Sequence, residues 1–113
     1  MKQMQKDTER KIAQLQLIEQ NLQNALLQKQ RFQSDLFEIE NALKEIDNAE
    51  EVYKIVGNIM LSKKKEDLKK ELISKKGIID IRIKSLEKEE SKTREKANIL
   101  QKEVIGEIEN DRR

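Results

Sequence analysis

Carboxylates and amines are the side chains in this sequence most able to do chemistry. There are 22 Asp and Glu against 24 Lys and Arg, with no His and no Cys. Acid–base catalysis by such a set needs a carboxylate pair whose environments pull the two pKa values apart. Metal binding needs acidic oxygens converging on one point. Here the acids and bases are interspersed along helical sequence, which makes them solvated surface charge rather than a dyad. Without His the commonest general base and metal ligand is missing. Without Cys there is no thiol catalysis, disulfide or Cys-ligated zinc. The three glycines form no phosphate-cradling loop. No catalytic residue, cofactor or metal is therefore expected, and an enzyme is not expected.

Partners that need a strong single-sign field are excluded on the same ground. The net charge is +2 with the signs mixed, which is no basic footprint for nucleic acid. The run Lys63-Lys64-Lys65 is read as a solvated helix start. No apolar stretch approaches the ~20 residues of a membrane span. The amino-terminal Met1-Lys2-Gln3-Met4-Gln5-Lys6 leads into polar sequence, without an apolar signal core. The expectation is a cytoplasmic protein with no nucleic-acid or membrane partner. With 41% charged and 3% aromatic residues and no Pro, the composition is that of long helices and coiled coils.

The elements follow from spacing. Steps of four and three run through positions 4, 8, 11, 15, 18, 22, 25, 29, 32, 36, 39, 43 and 46. Ten of these thirteen are apolar, from Met4 to Ile46, which is a coiled-coil seam. A second, less regular seam runs through 72, 76, 79, 83, 86, 90, 93, 97, 100, 104 and 107. Lys76, Glu90, Thr93 and Glu107 interrupt it. The two seams, counted separately, pair at a constant sum of 115: Leu43 with Leu72, Leu36 with Ile79, Phe32 with Ile83, Leu15 with Leu100. That predicts an antiparallel coil of helices 1–48 and 64–112, with a weak patch where Ala25 meets Glu90 and Leu22 meets Thr93. Both helices need this pairing, since propensity alone does not hold a helix of such length.

Residues 51–63 break the pattern. Two short β-branched and aromatic runs flank Gly57-Asn58, and such a dipeptide supports a primed two-residue hairpin turn. Val52, Lys54, Val56, Ile59 and Leu61 fall on one face; Tyr53, Ile55, Met60 and Ser62 fall on the other. Both faces are substantially apolar. A lone hairpin is marginal in water, and its two open edges invite pairing with other chains. A reversal between helices needs only a few polar residues. Val52, Tyr53, Ile55, Val56, Gly57, Ile59, Met60 and Leu61 are therefore expected to form an oligomer-assembly surface.

The free helix ends meet under this register. They gather Met1, Met4, Ile12, Ile99, Val104, Ile105 and Ile108, of which only some fit a seam. Exposed apolar groups at such an end form a partner surface, or fray with nothing bound; spacing alone leaves both open.

Helix, apolar hairpin, helix, centred on Glu51-Val-Tyr-Lys-Ile-Val-Gly-Asn-Ile-Met-Leu61, resembles the beta-type subunit of prefoldin. Leu27-Gln-Lys-Gln-Arg-Phe, Glu38-Ile-Glu-Asn-Ala-Leu and Asp47-Asn-Ala-Glu-Glu are similar to that family's first helix and its exit. The single hairpin favours the archaeal beta subunit over the two-hairpin alpha type. Met60 and Ser62 on the second strand depart mildly from the pattern.

The resemblance implies one prefoldin-like domain over 1–113: a mainly α chain whose hairpin joins an oligomeric β-barrel. It implies a hexamer of two alpha and four beta subunits. It also implies an ATP-independent holdase that captures non-native proteins at the coil tips and passes them to a group II chaperonin. The competing function is a structural or tethering coiled coil with one defined partner.

Overall fold

A computed structural model describes residues 2–112, with side chains from Gln5 to Arg112. Helix α1 spans Lys2–Ile46, strand β1 Val52–Val56, strand β2 Ile59–Lys63 and helix α2 Lys65–Arg112. Both helices are rich in Gln, Lys, Glu and Leu and lack Pro, so each favours the helical backbone residue by residue. Helix α1 stops at Asp47-Asn48, where the Asn48 amide donates to the Glu45 carbonyl at 3.1 Å. These side chains compete for backbone groups and favour such turns. Helix α2 opens with Glu66 and Asp67 in its first turn, which suits the positive end of the helix dipole.

Two compact units divide the chain. One, the terminal unit, holds Met1–Gln28 with Ser85–Arg113; the other, the hairpin unit, holds Lys29–Lys84. In the terminal unit the helix segments are antiparallel. The Thr8 hydroxyl donates to Glu107 Oε2 at 2.6 Å, and Lys11 pairs with Glu103 at 3.2 Å and with Glu107. In the hairpin unit they are antiparallel too. Lys76 pairs with Glu40 at 3.5 Å, Lys69 with Asp47 at 3.1 Å, and the Arg82 guanidinium lies 5.8 Å from the Phe32 ring centre. Each pair falls within a few residues of the predicted sum of 115. The fold class is thus two long helices in antiparallel contact with a central β-hairpin.

The seams are where the spacing puts them. Every described position of both predicted stripes is buried or half-buried, including the interrupting Lys11, Lys76, Glu90, Thr93 and Glu107. Burial is nonetheless shallow. Among the described residues only Ile39, Ile46, Val52, Val104 and Thr8 count as buried, and none is fully enclosed. Stability is therefore spread over many half-covered layers, each contributing roughly 25 cal/mol per Å² of apolar surface removed from water. The weak patch is visible as an open groove bordered by Leu22, Ala25, Glu90 and Thr93.

Gly77 sits inside α2 with nothing within 4 Å of where a Cβ would stand. Close packing does not require it, and its φ is not in the left-handed region. Gly77→Ala is expected to stabilise the folded chain by about 1 kcal/mol, the helix cost of glycine over alanine. A rise in thermal midpoint, followed by far-ultraviolet circular dichroism, checks this; an unchanged or lowered midpoint contradicts it.

Candidate functional site: the hairpin surface and the helix ends

The hairpin forms because Gly57 takes the backbone that its turn demands. Gly57 has φ of 61° and Asn58 a negative φ, the pattern of a primed turn with glycine in first central position. Strands β1 and β2 then pair antiparallel as Val52↔Lys63, Tyr53↔Ser62, Lys54↔Leu61, Ile55↔Met60 and Val56↔Ile59. Side chains alternate across this ladder, so the two faces differ.

One face turns partly inward. Val52 is buried, and Lys54, two residues on, pairs with Glu71 of α2. Lys63, opposite Val52, stands 3.6 Å from the other oxygen of the same carboxylate. That oxygen, Oε2, is shielded from solvent and accepts no hydrogen bond, so Lys63 meets it as a charge. The hydrogen-bonded Lys54 ammonium is the main reason the Glu71 carboxyl sits below its usual range.

The other face is open. Tyr53, Ile55 and Met60 are all exposed, and so are Val56, Ile59 and Leu61 toward the turn. Every residue of β2 is exposed. The Tyr53 hydroxyl donates to Glu51, which raises the phenol above its ordinary pKa. Among the described residues the sheet has two strands, so each carries an edge whose backbone groups face no further strand of the described chain. Six exposed apolar side chains and two edges thus meet on thirteen residues of a chain that is otherwise heavily charged. Such a surface is a template for strand pairing between chains.

The terminal unit carries the second cluster. Ile12, Ile99, Ile105 and Ile108 are exposed. Val104 is 7% exposed and packs in the seam, beneath that surface instead of on it. Met1 and Met4 lie outside the residues whose side chains are described. In an antiparallel coil the positions after one seam residue face their equivalents across the coil, forming two flanks. Ile12, Ile105 and Ile108 occupy the flank on which Glu19 and Gln101 also lie. Ile99 belongs to the opposite flank, at the level of Leu17, whose groove is lined by Gln14 and Lys96. The ends therefore present two apolar strips, not one. Leu17 is exposed and escaped the sequence reading; sorting off-seam apolar residues by flank would have found it.

Between the flanks a polar cluster closes the seam. Lys11 takes Glu107 and Glu103, and Thr8 takes Glu107. Lys11, and then Thr8, hold the Glu107 carboxyl below its usual range, while Glu107 and then Glu103 raise the Lys11 ammonium. A lowered carboxyl contributes above its ordinary value of 4.5 and is lost as pH falls through the folded value. A raised amine contributes below its ordinary 10.5 and is lost as pH rises through the folded value. The cluster is accordingly intact throughout the neutral range.

Among the described residues no group of acidic side chains could hold a metal ion, and no helix is long and apolar enough to cross a membrane. What the geometry offers is exposed apolar surface gathered at the hairpin and at the helix ends, with Leu26, Leu27, Phe37, Ile73, Ile78 and Ile81 exposed singly along the helices.

Comparison with known proteins agrees on the family. The sequence model described as Prefoldin subunit matches residues 9–110. The chain is 44% identical over 88 residues to prefoldin subunit beta of Archaeoglobus fulgidus, covering 75% of this chain and 76% of the relative. It is 34% identical over 96 residues to prefoldin subunit beta of Pyrococcus abyssi, covering 82% of each. The crystal structure of the prefoldin beta subunit from Thermococcus strain KS-1 superposes with a TM-score of 0.77 at 32% identity. That match covers 87% of this chain and 89% of the other.

Proposed function

As the chain belongs to the prefoldin family, among its beta subunits, we propose that it is a subunit of an ATP-independent holdase that captures non-native proteins at its helix ends. Prefoldin subunits are non-enzymatic chaperones. The hairpin is the assembly site, with Tyr53, Ile55, Val56, Gly57, Ile59, Met60 and Leu61 building a β-barrel with other subunits, while Val52, expected there from the sequence, is buried within its own chain. The complex is a hexamer of two alpha and four beta subunits in the cytoplasm. Captured proteins pass to a group II chaperonin. Residues 1–113 act as one prefoldin-like domain.

The observation that carries this reading is the density of exposed apolar side chains on the hairpin, with a second group at the helix ends, on a chain with 41% charged residues. One surface with open strand edges suits self-complementary assembly. The other, made of isoleucines around a helix end, suits weak and unselective contact. Assembly multiplies that contact: several weak ends held around one body give avidity without specificity. Release needs no nucleotide, because each contact is weak by itself.

The test is suppression of aggregation of a chemically denatured protein by the chain mixed with an archaeal prefoldin alpha subunit, without ATP. Suppression at near-stoichiometric amounts is expected. A complex of the right mass that leaves aggregation unchanged would instead support a tethering coiled coil.

A further inference from the structure

We infer that Glu71 is the residue that orients the hairpin for assembly, by taking one lysine from each strand and so deciding which face is turned outward. This rests on the hairpin being the assembly site. Between α1 and β1 lie residues 47–51, and between β2 and α2 lies Lys64 alone, whose carbonyl already accepts from the Leu68 amide of α2 at 3.0 Å. The backbone thus fixes where the hairpin joins α2; the roll about its own axis that the joint still allows is left to side chains to prevent.

Glu71 prevents it from the second turn of α2. Lys54 lies on β1 and Lys63 on β2, diagonal to each other on the Val52 face. Lys54 binds Glu71 Oε1 and Lys63 stands 3.6 Å from Oε2. A tie to one strand alone leaves rotation about that strand; ties to both remove it. Buried Val52 adds a third point on the same face. The consequence is geometric: Tyr53, Ile55 and Met60 are left on the outward face, all exposed. Without the carboxylate, two ammonium groups would face each other over the helix, and their repulsion would lift the face it now holds down. Because the ties are ionic and partly exposed, they weaken in salt.

The experiment measures the concentration at which the complex of the full chain with an archaeal prefoldin alpha subunit dissociates, at low and moderate salt. Glu71→Gln keeps the shape and removes the charge. It is expected to raise that concentration about threefold or more and to flatten its dependence on salt. Glu71→Lys is expected to raise it further. Combining Lys54→Glu and Lys63→Glu with Glu71→Lys is expected to restore assembly, because one residue of α2 then again holds an opposite charge on each strand. Helix melting, followed by circular dichroism, is expected to be unchanged in all three.

Assembly of both single variants like the parent overturns the inference, as does failure of the full charge exchange at 54, 63 and 71 to restore it. A fall in helix melting that parallels the loss of assembly also overturns it, by making Glu71 a general stabiliser. Ile55→Glu separates the two levels. If the complex survives that change, the hairpin is not the assembly site. If it disperses while the Glu71 variants assemble normally, only the role of Glu71 falls.

Discussion

Ile55→Glu is expected to disperse the complex outright, leaving the subunit's helices formed. Ile55 is 66% exposed in the single chain and stands opposite Met60 at the centre of the outward face. In the free chain a glutamate there is harmless, since it replaces an apolar group in water with a charged one. In the proposed barrel the same position would be covered, and the carboxylate would have no partner. Burying an unpaired charge costs several kcal/mol even after relaxation. In the proposed hexamer each of the four beta subunits would bring one such charge to the same body, and like charges add repulsion. At tenfold in affinity per about 1.4 kcal/mol, a cost of several kcal/mol per subunit weakens assembly by orders of magnitude, so no oligomer should remain at micromolar concentration.

The control for this prediction lies on the same chain. Helices α1 and α2 keep their own seams, of which Ile39 and Ile46 are among the buried residues. Ile55 belongs to neither seam. Far-ultraviolet circular dichroism of the variant should thus stay helical while its mass, by sedimentation or light scattering, falls to that of a single chain. A variant that retains the mass of the parent would remove the hairpin from the assembly site. Ile59→Glu, 62% exposed beside the turn, should act in the same direction.

Legibility of this molecule in its sequence followed the period of each element. A seam of step 3.5 imposes burial one layer at a time, so even Lys11, Lys76 and Glu107, wrong by residue type, are found half-buried where the spacing put them. The hairpin register was legible because Gly57-Asn58 leaves a single two-residue loop, and one choice of loop fixes every pair. Side-chain direction across elements was not legible. Nothing in the spacing says that Lys54 and Lys63 share a face with the helix residue Glu71, since that depends on how the hairpin is tilted. Nor does period alone reveal that Thr8 and Glu107 close the seam by a hydrogen bond. Val104 illustrates the same limit from the other side. It fits the second seam by count and was also gathered with the helix-end cluster; depth, which the structure gives, places it in the seam.

That depth decides what should be mutated to silence the chaperone without dismantling it. Ile12, Ile105 and Ile108 share one flank of the terminal unit and are exposed, so exchanging all three for serine removes apolar surface and costs the coil little. If capture is their work, each lost side chain removes part of the ~1.5–3 kcal/mol that full burial of such a group yields. Losses at one end are multiplied over the several ends that hold one client. The triple variant is expected to need at least ~10-fold more protein to suppress aggregation of the same denatured test protein. Its complex should keep the parent's mass, because no hairpin residue is touched. Ile99→Ser, on the opposite flank beside Leu17, reports whether that strip also contributes. Val104→Ala is the contrasting change: it opens the seam, so it should lower the melting temperature first and capture only through it. Removing residues 1–12 and 99–113 should abolish suppression while assembly persists. If the triple serine variant protected its client as well as the parent does, capture would have to lie elsewhere on the arms, and the exposed isoleucines at the helix ends would be surface without a role.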